Sequence, residues 1–350
     1  MSARPGPRRL TSSDLNRTVL TRQMLLKRAR SPLPRIVERM AGVQAQYVPS
    51  AYIGLWSRVA DFARSDLTSA LQRRLLIQAT VMRGTIHLVS RVEFWPLVEA
   101  SRAARQDGWV RAWGARQDVV EIQRLAREVE NLLADGQKKR KEILDELGID
   151  SETWNGIVNW VDLVRVPPSG TWESRRADLY GLASAWVGPN ESDLRTGRDL
   201  LVRRYLTGFG PATRQDIQAF TMMSLAAIDE TLGRLRTRRF ASENGDELWD
   251  VPGAPVAAGD APAPARFIGN WDAILLVHCR RAEVLPEEHR PLIFHVRAPQ
   301  SFATFLVDGK VRGTWREEGG KVELDRFEPI PRRFSRDLAE EKRRLEAFLR

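Results

Sequence analysis

Three times along the chain, apolar residues recur at helical spacing across two or three short segments and then switch to strand alternation around a tight turn. Short amphipathic helices closed by a hairpin bury their apolar stripes only against one another and that hairpin, so this pattern restricts each segment to a small helix-turn-helix unit with a two-stranded wing. In the first copy, Leu15, Val19 and the Met24-Leu25 pair follow the cap candidates Ser12, Ser13 and Asp14. A second helix carries Pro34 near its first turn, Leu33, Ile36, Val37 and Met40 on one face, and Gly42 at its end. A third, capped by Ser50, buries Ile53, Trp56 and Val59; after a short helix from Ser65, LIQATVM and TIHLVS flank Arg83-Gly84 as strands around a turn.

The second copy has helical periodicity from Val119 to Leu133, then KKRKEILDELG with Gly148 as C-cap, a helix capped by Ser151, and a wing from LVRV and DLYGLA. In the third, RDLLVRRYLTGFG ends in a glycine-rich turn, Thr213 begins a capped helix with Asp216 in its first turn, and Ser224 caps a helix burying Leu225, Ile228, Leu232 and Leu235. Its strands, RRFAS and ELWDV, are joined through Asn244-Gly245, a strong hairpin signal. PGAPVAAGDAPAPA is too poor in bulky apolar residues to pack and reads as a linker; beyond it, NWDAILLVHCRRAEVL, PLIFHV, SFATFLVDGKVRGTW and KVELDRFEPI read as strands, closed by a helix from Ser335. The expected fold class is α+β, mainly α. Three tandem winged-helix modules (1–115, 116–192 and 193–251) precede a linker (252–265) and a small C-terminal β-rich unit with its closing helix (266–350).

Lys plus Arg number 55 against 45 Asp plus Glu, and the resulting +10 favours a polyanionic partner, DNA or RNA. Cys279 is the only cysteine and the four histidines show no ligand spacing, which argues against a disulfide and against metal chemistry. No run approaches the roughly 20 apolar residues of a membrane span. The expectation is a cytoplasmic, nucleoid-associated protein that acts as a monomer without metal, cofactor or membrane.

One loop is chemically odd. Gln44-Ala45-Gln46 lies between two helices, where side chains of an extended segment alternate, so the two carboxamides can point one way and bracket a small object such as water. An amide orients water but does not deprotonate it, which suits a substrate whose leaving group needs little help. On the residues alone, capping of turn backbone groups is the competing account.

GVQAQYVPSAYIGLWSR, MRGTIHLVS, YLTGFGPATRQDIQAF and NWDAILLVHCRRAEVLPEEHR, in that order, resemble the bacterial winged-helix DNA glycosylases typified by AlkZ and YcaQ. The resemblance covers essentially the whole chain. It implies three winged-helix modules forming a C-shaped basic cleft for duplex DNA, and removal of bases alkylated at guanine N7, including bulky adducts and crosslinks, through a Gln-x-Gln or Gln-x-Asp motif in the first module. Gln44 and Gln46 match the Gln-x-Gln form, similar to the branch associated with self-resistance to DNA-alkylating natural products. The implied enzyme is a monofunctional glycosylase. Because N7-alkylguanine already carries positive charge, it leaves without a general acid, and the glutamines need only position water, Gln46 foremost, and stabilise an oxocarbenium-like sugar.

Further DNA-contact candidates are Arg83, Thr85 and His87 on one face of the first hairpin, Tyr47 beside the glutamines, and Arg214 and Gln215 at a helix start in the third module. The resemblance adds His278, Arg280 and Arg281 as a segment facing the sugar and phosphates. The eleven tryptophans, mostly at helical spacing among apolar residues, read as core. The alternative function is a non-catalytic winged-helix DNA-binding protein or transcriptional regulator; a small-molecule hydrolase is disfavoured for want of a nucleophile motif.

Overall fold

The structure is a computed structural model describing residues 6–276, 283–295 and 300–350, with only the backbone of 295 and 300. It opens with β1 (Arg9–Leu10), α1 (Ser12–Arg22), α2 (Leu33–Arg39), β2 (Val43–Gln44), α3 (Val48–Arg58), α4 (Arg64–Gln72), the hairpin β3 (Leu76–Thr80) and β4 (Ile86–Ser90), and α5 (Phe94–Trp113). Thr11 caps α1 in a reciprocal pair with Asp14, each side chain accepting the other's backbone N–H. α3 starts before Ser50, which lies inside the helix, because the fixed φ of Pro49 suits a first turn. The 20-residue α5 escapes the sequence reading: the stripe it buries includes Ser101 and Arg105, so its polarity hides its period.

α6 (Val119–Leu132), β5 (Lys138–Lys139), α7 (Arg140–Leu147), α8 (Ser151–Ile157), β6 (Leu163–Arg165), β7 (Leu179–Leu182) and α9 (Ala183–Val187) follow. Gly148 ends α7 in a left-handed conformation, φ 62°, and Asp150 rather than Ser151 caps α8, accepting the Thr153 N–H at 2.8 Å. Next come α10 (Leu194–Phe209), α11 (Arg214–Thr221), α12 (Leu225–Arg234), β8 (Arg238–Ser242) and β9 (Glu247–Asp250), with Thr213 and Ser224 as the expected caps.

The C-terminal region contains β10 (Arg266–Ile268), α13 (Ala273–Leu276), α14 (Arg290–Ile293), β11 (Phe294–His295), β12 (Gln300–Ser301), β13 (Thr304–Val307), β14 (Lys310–Glu318), β15 (Lys321–Arg326) and α15 (Arg332–Leu349). The run AILLV was expected as strand, but Ala273 to Leu276 is helical: Asp272 accepts the Ile274 N–H on its carboxylate and the Leu275 N–H on its carbonyl, which starts a helix turn. A short apolar run does not by itself choose between the two conformations.

The hairpins do not stand apart. β2-β4-β3-β6-β7-β5 form one six-stranded sheet, joined where Gln78 and Ala79 of β3 pair with Arg165 and Val164 of β6. β1 adds to β8 in parallel, giving the β8-β9 hairpin a third strand from the start of the chain. One core unites α1, α5, α10, α11 and α12, and another unites α2, α3 and α4 with Phe267, Phe305, Trp315 and Leu345 of the C-terminal region. The linker is strapped down: Arg22 Nε donates to the Pro255 carbonyl, Ala257 N–H to Thr18, Gly259 N–H to Asp14 and Arg17 Nε to the Ala261 carbonyl. It lacks bulky side chains, but polar groups of α1 satisfy its backbone.

Candidate active site

Gly42, at φ 85° and with the Met82 methyl 2.7 Å from where a Cβ would stand, turns the chain out of α2 into β2. β2 then pairs with β4 so that Gln44 stands opposite His87. Ala45 N–H donates to the Ile86 carbonyl at 2.8 Å, and the Ile86 N–H donates to Gln46 Oε1 at 3.2 Å, closing the end of the ladder. Gln44 is buried, whereas Gln46 and its neighbour Tyr47 are exposed.

Across the hairpin tip, Arg83 and Gly84 both have left-handed φ, 54° and 64°. For glycine this conformation is easy, but for arginine it is strained, and it persists only when surrounding contacts over-determine it. Those contacts are visible. Arg83 Nη2 donates to Gln44 Oε1 at 3.3 Å and to His87 Nε2 at 3.1 Å, Nη1 reaches the Phe220 carbonyl at 3.5 Å, and the guanidinium carbon lies 4.8 Å from the Phe220 ring centre.

His87 Nδ1 lies 2.9 Å from the Thr85 carbonyl, which only accepts, so Nδ1 carries the proton and Nε2 is the acceptor for Arg83. The Thr85 hydroxyl donates to the Met82 carbonyl at 3.2 Å. Burial, then the charge of Arg83, push the imidazole down to about 3, and burial alone pushes the guanidinium down to about 10. At neutral pH the cluster is one cation fixed between two neutral acceptors.

Arg83 and Gly84 also form one edge of a cavity of about 640 Å³. One face of α5 lines it with Ala104, Gly108 and Ala112, flanked by Arg105, Trp109 and Trp113; Ser151, Glu152 and Asn155 of α8, Asn159 just beyond it, and Met222, between α11 and α12, complete the lining. Met222 is exposed and left-handed, φ 59°. Sequence reading missed Phe220 and Met222, because nothing local links residues more than a hundred positions away to the hairpin, and it missed the α5 face because the polar residues in the buried stripe of α5 hide its period.

The remaining candidates are dispersed. Arg214 is paired with Asp229 at 2.7 Å and Gln215 is exposed at the start of α11. His278, Arg280 and Arg281, with Cys279, lie outside the described residues. Most tryptophans are core as expected, including Trp56, Trp154, Trp172 and Trp315, but Trp113 is 38% exposed at the cavity. No helix among the described residues is long and apolar enough to cross a membrane.

The chain is similar to the interstrand DNA cross-link repair glycosylase of Streptomyces sahachiroi, with 25% identity over a 332-residue alignment covering 85% of each chain. Its fold is similar to the solved structure of Streptomyces sahachiroi DNA glycosylase AlkZ, with a TM-score of 0.79, 21% identity and 97% of each chain covered. The family described as DNA glycosylase AlkZ-like matches residues 37–348, a span that takes in the glutamine loop, the Arg83 turn and every wall of the cavity. This chain therefore belongs to the AlkZ-like DNA glycosylase family.

Proposed function

We propose that the chain hydrolyses the N-glycosidic bond of N7-alkylated guanine in duplex DNA, including bulky adducts and interstrand crosslinks of the kind its Streptomyces sahachiroi relative is named for. Its three helix-helix-hairpin units act as winged-helix modules around a C-shaped basic cleft, with Tyr47, Arg214 and Gln215 toward the DNA and the enzyme serving repair of, or self-resistance to, an alkylating metabolite. The observation that carries the reading is the unequal exposure of the two glutamines: Gln44 is buried and held by Arg83, while Gln46 is exposed, with its Oε1 accepting the Ile86 N–H and its amide NH2 without a protein partner among the described residues.

In this mechanism Gln46 orients the attacking water and Gln44 presents a fixed carboxamide beside it. The bond from C1′ to N9 breaks, its electron pair neutralises the cationic purine, and the water oxygen bonds to C1′ while its proton passes to solvent. The nearby imidazole is no general base, because it is buried, hydrogen-bonded at both nitrogens and depressed to about 3. That fits a leaving group that departs without protonation. Positioning and dipole orientation supply the acceleration.

The test is excision of N7-methylguanine from a duplex, read as strand cleavage after alkali. Gln44→Ala and Gln46→Ala should each lower the single-turnover rate by about 100-fold, the scale of one preorganised polar group. Wild-type rates equal to spontaneous depurination, or variants that match wild type, refute the assignment.

A further inference from the structure

Arg83 is unfavourable twice over. Its left-handed φ of 54° is one that a long side chain adopts only under constraint. Its guanidinium, lodged between His87 of β4 and Phe220 of α11, has only neutral acceptors as partners among the described residues. The buried Arg22, Arg58 and Arg105, by contrast, have carboxylates at 2.7, 2.8 and 3.6 Å.

A phosphate contact accounts for neither feature, because both Nη atoms already face the protein. Nη2 is shared by Gln44 and His87, and Nη1 reaches the Phe220 carbonyl. The brace is rigid: Phe220 packs against Tyr205 and Phe209 with ring centres 4.9 and 5.6 Å away, and His87, with its proton on Nδ1, can only accept at Nε2.

What this brace settles is the direction of one amide. A guanidinium only donates, so the Gln44 atom that meets it is the carbonyl oxygen, and the NH2 is the end left without a protein acceptor among the described residues. The two ends of a carboxamide are nearly the same size, so shape alone would let the Gln44 amide turn over and present its oxygen instead.

We infer that Arg83 is a positioning residue and not a DNA contact: it fixes Gln44 with its N–H donors outward, so that Gln44 holds the attacking water by donating to one lone pair and leaves the other for C1′. The inference rests on the proposed glycosylase reading and adds to it a residue and a polarity.

The experiment is single-turnover excision of N7-methylguanine by the full chain, with affinity for undamaged duplex measured alongside. Glycine suits φ 54° and asparagine tolerates it, so Arg83→Gly and Arg83→Asn keep the turn and remove the brace, with thermal denaturation as the check on folding. Each should lower the rate constant at saturating enzyme by roughly tenfold or more, while Kd for duplex and its salt dependence stay as in wild type. Adding Gln44→Ala to either should leave the rate within about twofold of Gln44→Ala alone, since Arg83 acts through that amide. Gln44→Glu keeps the acceptors and loses the N–H donors, and should be as slow as Gln44→Ala.

A log-log salt slope smaller by about one makes Arg83 a phosphate contact. A further tenfold fall in the double variant, roughly the full effect of the single one, makes it act by itself. A Gln44→Glu enzyme as fast as wild type makes Gln44 an acceptor. Each of these results overturns the inference, as does wild-type speed in the Arg83 variants. If wild type excises N7-methylguanine and only these comparisons fail, the glycosylase reading stands alone. If wild type excises nothing, both fall.

Discussion

Lowering the pH from 7.5 to 5 removes about 2 kcal/mol of stability through His87 alone. In the unfolded chain its imidazole titrates near the ordinary value of 6.5; in the fold it is driven down to about 3 by burial and by Arg83. The folded state thus binds fewer protons than the unfolded state throughout the interval between these values. The contribution is fully present above about 6.5 and is lost progressively as the pH falls. At pH 5 the unfolded imidazole lies about 1.5 pH units below its midpoint while the folded one is still neutral, and each unit is worth about 1.4 kcal/mol. His87 is 1% exposed, so solvent does not screen the effect.

Urea unfolding followed by tryptophan fluorescence, for wild type and His87→Gln at both pH values, measures it. The variant's difference from wild type should shift by about 2 kcal/mol in its favour at the lower pH. In parallel, long-range nitrogen-proton NMR should show His87 neutral and protonated at Nδ1 at pH 5. Parallel pH dependences in the two proteins, or a His87 resonance that titrates near 6.5, would refute the reasoning about this cluster.

Asp250→Ala should cost about 3–5 kcal/mol, since Asp250 is fully buried and removing it strands Arg22, whose side chain is 1% exposed, and Arg238 beside it. Chemical denaturation checks this, and Asp250→Asn should recover part of the loss by keeping hydrogen-bond acceptance. Gly197→Ala drives a Cβ to 2.3 Å from the Pro96 carbonyl and 3.0 Å from the Ala100 nitrogen, forcing α10 away from α5. A cost of about 1–3 kcal/mol should appear in thermal denaturation despite alanine's better helix propensity; a variant more stable than wild type would disprove that close approach.

Much of the local architecture was legible because its signals are local. Thr213 with Asp216, Ser224, Gly148 and the Asn244-Gly245 turn each bind or bend only their own neighbours, and each sits where the pattern places it. AILLV was misread because an apolar run is ambiguous until Asp272 is seen accepting from the residues after it. α5 was missed because its buried stripe includes Arg105, whose charge is tolerable beside the Thr80 and Asn159 carbonyls and the Asp162 carboxylate, 3.6 Å away.

The sequence by itself determined the helix-helix-hairpin order, the net charge of +10 and the presence of two carboxamides one residue apart in a loop. It could not say which arginines are available to a polyanion. Arg22 and Arg58 are buried against Asp250 and Asp272, and the half-buried Arg28 pairs with Glu341, so their charge is spent internally. Nor could it show that Gln44 is buried and Gln46 exposed, since the two share a residue type and one loop. That difference was decided by tertiary structure, where pairing of β2 with β4 sets Gln44 opposite His87 and a strained turn brings Arg83 onto both. Hydrogen bonds and burial depend on what the folded chain brings within about 3 Å, a distance unrelated to separation along the sequence.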